Sequence, residues 1–261
     1  MKKPMASGLE GVVAAQTALS HVDGERGELI IAGHSVEVLA LNHRFEQACA
    51  LLWGGAEVDL GPARVWAAAR LPNLGEALQQ PNGMDALRAA VAQLPAQTDA
   101  LRITAAMAVF GAAWRRRQLG LSPIAPDPKS THAADILRMV SGESFAEPFV
   151  KALDTYLVAV IDHGMNASTF TARVIASTGS DLVSAVTGGV GALKGPLHGG
   201  APGPVLDMLD RWRCPRRRRR GWRRSSPPAA ESWAWDTGSI GCAILARRCS
   251  RWRWRGSRRR A

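Results

Sequence analysis

Cysteine is nearly absent from the first 210 residues of this 261-residue chain, where Cys49 stands alone. That excludes a disulfide framework in this part. No apolar run approaches the roughly 20 residues needed to span a bilayer. The opening "MKKPMASGLEG" has two lysines and no apolar stretch behind them, so no secretory leader is expected and the expected location is the cytoplasm. Without such a leader, the "NAS" acceptor pattern at Asn166–Ser168 reads as coincidence. There is no internal repeat. "TGGVGALKG" lacks the preceding strand that a phosphate-cradling glycine loop needs. No metal and no resident cofactor are expected.

The net charge of +11 would ordinarily point to nucleic acid or an anionic membrane. That average joins two unlike parts. Residues 211–261 hold 17 arginines and two acids, a net of +15, which leaves 16 bases and 20 acids, a net of −4, for residues 1–210. Six of the nine tryptophans and three of the four cysteines also fall after Asp210, whereas all six histidines precede it. Two regions follow: 1–210, a mildly acidic globular sequence, and 211–261, an Arg/Trp-rich tail. The tail has few aliphatic residues and is expected to be disordered, with only non-specific affinity for nucleic acid.

Within the first region "ERGELIIAG" is a brief β-like run, and nearly everything else has helical period, so the class is all-α. "HRFEQACALLWGG" reads as a short helix closed by Gly54. "DALRITAAMAVFGAAWRRRQLG" is a longer one ending at Gly120, with Arg115 to Arg117 suiting its C-terminal dipole. Ser130 or Thr131 caps the next. "EPFVKALDTYLVAVI" places Phe149, Val150, Leu153, Leu157, Val160 and Ile161 on one stripe and stops at "DHG". A further helix runs from about Ala167 to Ser177. The small-residue segment Asp181–Gly195 then packs closely or bends before Pro196.

Two histidines lie at helix breaks rather than in apolar stripes: His163 in "DHGMNAST" and His198 in "KGPLHGGAPG". A break aims a side chain into a cleft, and glycines let a ligand approach the backbone. A histidine in a turn also serves as an ordinary hydrogen-bonded structural residue.

Together "GLEGVVAAQTALSHVDGERGELIIAGHSVEVLA", "DHGMNASTFTARVIASTGSDLVSAVTGGVGALKGPLHGGAPGPVLDML" and the helical frame between them resemble citrate synthase, of the bacterial type that includes 2-methylcitrate synthase. The resemblance covers about residues 8–210. It implies a multi-helical large domain, truncated here. It also implies condensation of acetyl-CoA with oxaloacetate, or of propionyl-CoA in the 2-methylcitrate case, with the CoA thioester as substrate and a homodimer as the intact assembly. By the same resemblance His198 matches the catalytic histidine that stabilises the enol, and His163 the histidine at the oxaloacetate carbonyl. Asn166, Gly199 and Gly200 support them, while Arg173 is structural.

In that family the next segment carries "GFGHRVY…DPRA", then a catalytic aspartate and arginines for the oxaloacetate carboxylates. Residues 211–261 contain none of these in frame. Read one base out of frame, "SWAWDTGSIGCAILAR" can encode L-G-V-G-H-R-V-Y-R-V-R-D-P-R-A. Two of its glycines are forced, because tryptophan has the single codon TGG. The tail therefore reads as a frameshift product, and the chain as given is expected to be inactive.

Overall fold

A computed structural model describes residues 15–55, 58–196 and 198–199. The boundary at Asp210, the tail and Gly200 lie outside the described residues.

The β-like run is the middle strand of a small antiparallel sheet, with β1 at Ser20–Asp23, β2 at Glu28–Ile31 and β3 at His34–Ser35 in the order β1-β2-β3. Ser20 pairs with Ile31 and Ile31 with His34, so Ala32 and Gly33 form a two-residue turn with φ of +48° and +81°. Two positive φ values are what the strand twist asks of so short a hairpin, and Ala32 adopts one against its preference.

Nine helices follow among the described residues: α1 Val36–Asn42, α2 Phe45–Trp53, α3 Gly61–Ala68, α4 Gly83–Val91, α5 Ala100–Gln118, α6 His132–Ser141, α7 Glu147–Ala159, α8 Ala167–Ser177 and α9 Leu182–Leu193. Their ends follow local chemistry. Gly54 closes α2 at φ +63°, and Asp99 caps α5 by accepting from the Arg102 N–H at 2.7 Å. Thr131 caps α6, while the neighbouring Ser130 donates its hydroxyl to Asp127 Oδ2 at 2.7 Å.

The larger core gathers Leu78, Val91, Phe110, Met139 and Val183 from α4, α5, α6, α9 and the turn at Ala77–Gln79. A second packs the sheet and α1 on α7 through Ile31, Leu39 and Val158. The α7 stripe differs from the expected one. Val150, Asp154, Val158 and Ala159 are buried, while Phe149 is 62% exposed and Val160 is exposed. The helix turns this way because Asp154 Oδ1 accepts from the Phe45 N–H at 3.0 Å, a donor with no partner inside the first turn of α2. Segment 181–195 packs closely and stays helical to Leu193, and the chain bends only after that, just before Pro196. Helix α9 runs through its glycines, and Gly188 lies where α8 presses Ile175 against it.

One polar cluster is wholly interior. Arg64 is 0% exposed and donates to Asp135 at 2.7 Å and to the carbonyls of Asp127 and Ser130 at 2.9 and 2.6 Å. Asp135 also takes Arg138 at 2.6 Å. His132 Nδ1 lies 3.4 Å from Arg64, which has no lone pair to offer, so Nδ1 is the acceptor and Nε2 carries the proton. Burial first, and then the Arg64 charge, push His132 down from 6.5 to about 3. The unfolded chain therefore binds a proton below pH 6.5 that the folded one refuses until about pH 3. Stability contributed by this group is complete above pH 6.5 and falls with acid by up to about 1.4 kcal/mol per pH unit. Asp154 acts in the opposite sense, since burial raises it and the folded state takes up its proton first. His132→Asn keeps an acceptor for Arg64 without a titrating ring. Urea midpoints measured from pH 7 to pH 4.5 are expected to fall less steeply in this variant than in the parent. Parallel curves would remove His132 from the acid response.

Burial also pushes the Cys49 thiol up to about 12, which leaves it inert at neutral pH. No helix among the described residues is long and apolar enough to cross a membrane.

Candidate functional site

Helix α7 ends at Ala159, and the chain turns through residues 160–166 before α8 begins. Gly164 has φ +83°, and its N–H donates to Asp162 Oδ1 at 2.8 Å, so the loop is a tight turn that sets His163 at its bend. Asn166 then starts α8. Its Oδ1 accepts from the backbone N–H groups of Ser168 and Thr169, each at 3.0 Å, and Ser168 Oγ lies 2.6 Å away. This is an N-cap with every lone pair engaged. The Asn166 Nδ2 donates to the Gly164 carbonyl at 3.3 Å.

From the other side α9 ends at Leu193 and the chain folds back at once. The His198 N–H donates to the Gly195 carbonyl at 3.0 Å, and the Gly199 N–H to the Leu193 carbonyl at 2.9 Å. A side chain at 199 would collide with that carbonyl, so glycine is required there. The turn delivers His198 to the start of α8, where Nε2 stands 3.0 Å from Ser168 Oγ. Burial lowers the His198 pKa and the neighbouring His163 lowers it further. The two turns that bear the imidazoles are thus held at one edge of the α8–α9 pair.

Of the residues singled out from the sequence, His163, His198, Asn166 and Gly199 come together here. Arg173 stands apart and donates to the Gln16 carbonyl at 3.1 Å, a structural contact as expected. Ser168 was not singled out, although it touches both Asn166 and His198. Its signal was present two residues past the capping asparagine, where it was read only as the end of a glycosylation pattern.

Ser168 has one hydroxyl hydrogen and two acceptors in reach, Asn166 Oδ1 at 2.6 Å and His198 Nε2 at 3.0 Å. Given to Asn166, it leaves His198 protonated on Nε2. Given to His198, it leaves Nδ1–H as the free donor of the neutral ring. Asn166 keeps two backbone donors in either case. His163 Nδ1 is buried and has no partner among the described residues.

A model of the family described as "Citrate synthase, C-terminal domain" matches residues 8–238. Citrate synthase of Haloferax volcanii is 37% identical over 80% of this chain and 62% of its own length. 2-Methylcitrate synthase of Mycobacterium tuberculosis is 38% identical over 78% of this chain and 57% of its own length. The crystal structure of citrate synthase from Thermotoga maritima superposes with a TM-score of 0.68 at 31% identity, covering 78% of this chain and 60% of that one. The ternary complex of the Thermoplasma acidophilum enzyme with carboxymethyl coenzyme A and oxaloacetate does so with a TM-score of 0.69 at 27% identity, covering 80% and 61%. The chain therefore spans about three-fifths of the length of these relatives.

Proposed function

This chain belongs to the citrate synthase family, and from that premise we propose that its His163–His198 edge is half of a site condensing acetyl-CoA with oxaloacetate to citrate and free CoA. The observation that carries the reading is the His198 ring held 3.0 Å from Ser168 Oγ at the start of α8, next to the turn that bears His163.

A thioester methyl is a weak carbon acid. A carboxylate removes its proton while a fixed donor meets the oxygen on which the enol charge gathers. With the Ser168 hydrogen turned to Nε2, His198 Nδ1–H is that donor, and a neutral ring gives it without surrendering a full proton. The enol carbon then attacks the keto carbon of oxaloacetate. A proton reaches the keto oxygen, and water cleaves the citryl thioester to release the thiol. We assign His163 to the oxaloacetate carbonyl, with Gly199 and Gly200 opening room at the backbone.

Further along, the family supplies a histidine, an aspartate and arginines that residues 211–261 do not encode in frame. We propose that a one-base shift near the codons for Asp210 and Arg211 accounts for this, and that the polypeptide as translated is inactive. The named 2-methylcitrate synthases among the relatives support propionyl-CoA as the alternative acyl donor.

Thiol release from acetyl-CoA and, in parallel, propionyl-CoA with oxaloacetate is the test, in a frame-restored chain and its His198→Ala variant. Loss of the enol donor is expected to lower kcat by about 10² to 10³. Turnover that survives the substitution would take His198 out of the role. Faster turnover of propionyl-CoA would make 2-methylcitrate the product.

A further inference from the structure

Strand β1 lies against the His163 turn. A Cβ placed on Gly164 would stand 3.2 Å from Val22 Cγ2 and 3.8 Å from Ser20 Oγ. The same segment is tied down at three further points. The Gln16 carbonyl accepts from Arg173 of α8 at 3.1 Å, the Leu19 carbonyl from the Ala32 N–H at 2.8 Å, and Ser20 is in register with Ile31. The N-terminal hairpin is therefore held by α8 as well as by its own strands, and its first strand borders the histidine.

Each of the two segments that pack at this border carries a buried polar atom with no partner among the described residues: Ser20 Oγ on β1 and His163 Nδ1 in the turn. A buried donor or acceptor left unpaired costs more than an ordinary hydrogen bond contributes, so native structures satisfy such atoms. The two do not bond to each other directly. One ordered water is a common solution for unpaired buried groups on facing segments.

We propose that Ser20 is a positioning residue for His163, its hydroxyl meeting the Nδ1 edge of the imidazole through one bridging water. A water can donate to Nδ1 or accept from Nδ1–H, and the assignment of His163 to the oxaloacetate carbonyl selects the first. A water that donates to Nδ1 leaves the proton on Nε2, so Nε2–H is the group turned toward any acceptor at the site. The bridge rests on that assignment for its polarity and its use, but not for its place in the fold. A carbonyl oxygen is an acceptor and requires that tautomer; the opposite one would present a lone pair to a lone pair. Ser20 would then hold the donor in place without touching the substrate.

The test is the ¹⁵N spectrum of histidine-labelled 261-residue protein, with the His163 signals identified by their loss in His163→Gln. The parent is expected to show His163 mainly in the Nε2–H form. Ser20→Ala should lower the ratio of Nε2–H to Nδ1–H about tenfold, the equivalent of one ordinary hydrogen bond, with the His198 signals unmoved. Ser20→Thr, which keeps a hydroxyl on a strand-compatible side chain, should restore the ratio. An unchanged His163 spectrum in Ser20→Ala, or equal shifts in Ser20→Ala and Ser20→Thr, would overturn the proposal. If Ser20→Ala does not fold in this chain, the frame-restored chain carries the same readout together with kinetics. There the KM for oxaloacetate is expected to rise about tenfold with kcat nearly constant, and a KM that does not move would count equally against it. A frame-restored His163→Gln variant with unaltered KM would remove the substrate assignment and leave the tautomer result standing.

Discussion

Restoring the reading frame across the codons for Asp210 and Arg211 is expected to raise thiol release from acetyl-CoA and oxaloacetate by about 10⁴-fold or more over the 261-residue polypeptide. The size follows from what one edge of a site can do alone. In the roles proposed for them His198 offers an enol donor and His163 a carbonyl contact, but neither would take the methyl proton, since a neutral imidazole placed to donate is not placed to abstract. Nor can two imidazoles clamp a dicarboxylate as paired guanidinium groups do. Groups that act as a unit lose nearly all of their effect when one member is absent. Comparable rates from the two polypeptides would mean that the residues at this edge suffice, and the role assignment would fall. Resequencing the gene supplies an independent check. A corrected frame that opens into about 150 further codons supports the shift as an error in the reading, while one that meets stops at once would mark a decayed gene.

Arg64→Met is expected to cost about 3–5 kcal/mol of folding stability. The guanidinium is fully buried and offers hydrogens to one carboxylate, one imidazole and two carbonyls, all on the segment 127–135. Removing it strands Asp135 in the interior with only Arg138 for countercharge and frees the loop that leads into α6. Replacing both partners, Arg64→Met with Asp135→Leu, should recover a good part of the loss, because the penalty lies chiefly in the orphaned charge. The measurement is the urea midpoint of the three variants beside the parent. A loss below about 1 kcal/mol for Arg64→Met would show that water reaches the cluster and screens it.

Sequence reading did best where a local rule decides the outcome. Gly54, Asp99 and Thr131 mark helix ends because a glycine or a short polar side chain solves a problem posed by the adjacent backbone. Helix α8 was legible at about Ala167 to Ser177, although its cap, Asn166, was read only as a supporting residue of the site. It did less well where the deciding partner is far along the chain. The α7 face is set by an aspartate reaching the start of α2, 109 residues away in sequence, and no periodicity of apolar residues contains that information. Arg64 carried no mark at all, because an arginine on a short helix is ordinary until Asp135 and two carbonyls converge on it. At the site the two histidines were legible through the breaks that bear them. Ser168 was missed because its role exists only once α9 has brought His198 back across α8.

The contact between Gly188 and Ile175 gives the α8–α9 pair a second meaning. Asn166 caps α8 and Ser168 lies in its first turn, while α9 runs out into the turn bearing His198, so the two helices are the arms of a caliper whose jaws are Ser168 and His198. The thickness of the shim between the arms is a single missing methyl group. Any side chain at 188 must drive Ile175 aside or wedge the arms apart, and the gap would open at the jaws, where Ser168 and His198 stand 3.0 Å from each other. The close approach of the two helices is thus set well away from the histidines themselves, at a residue that has no side chain.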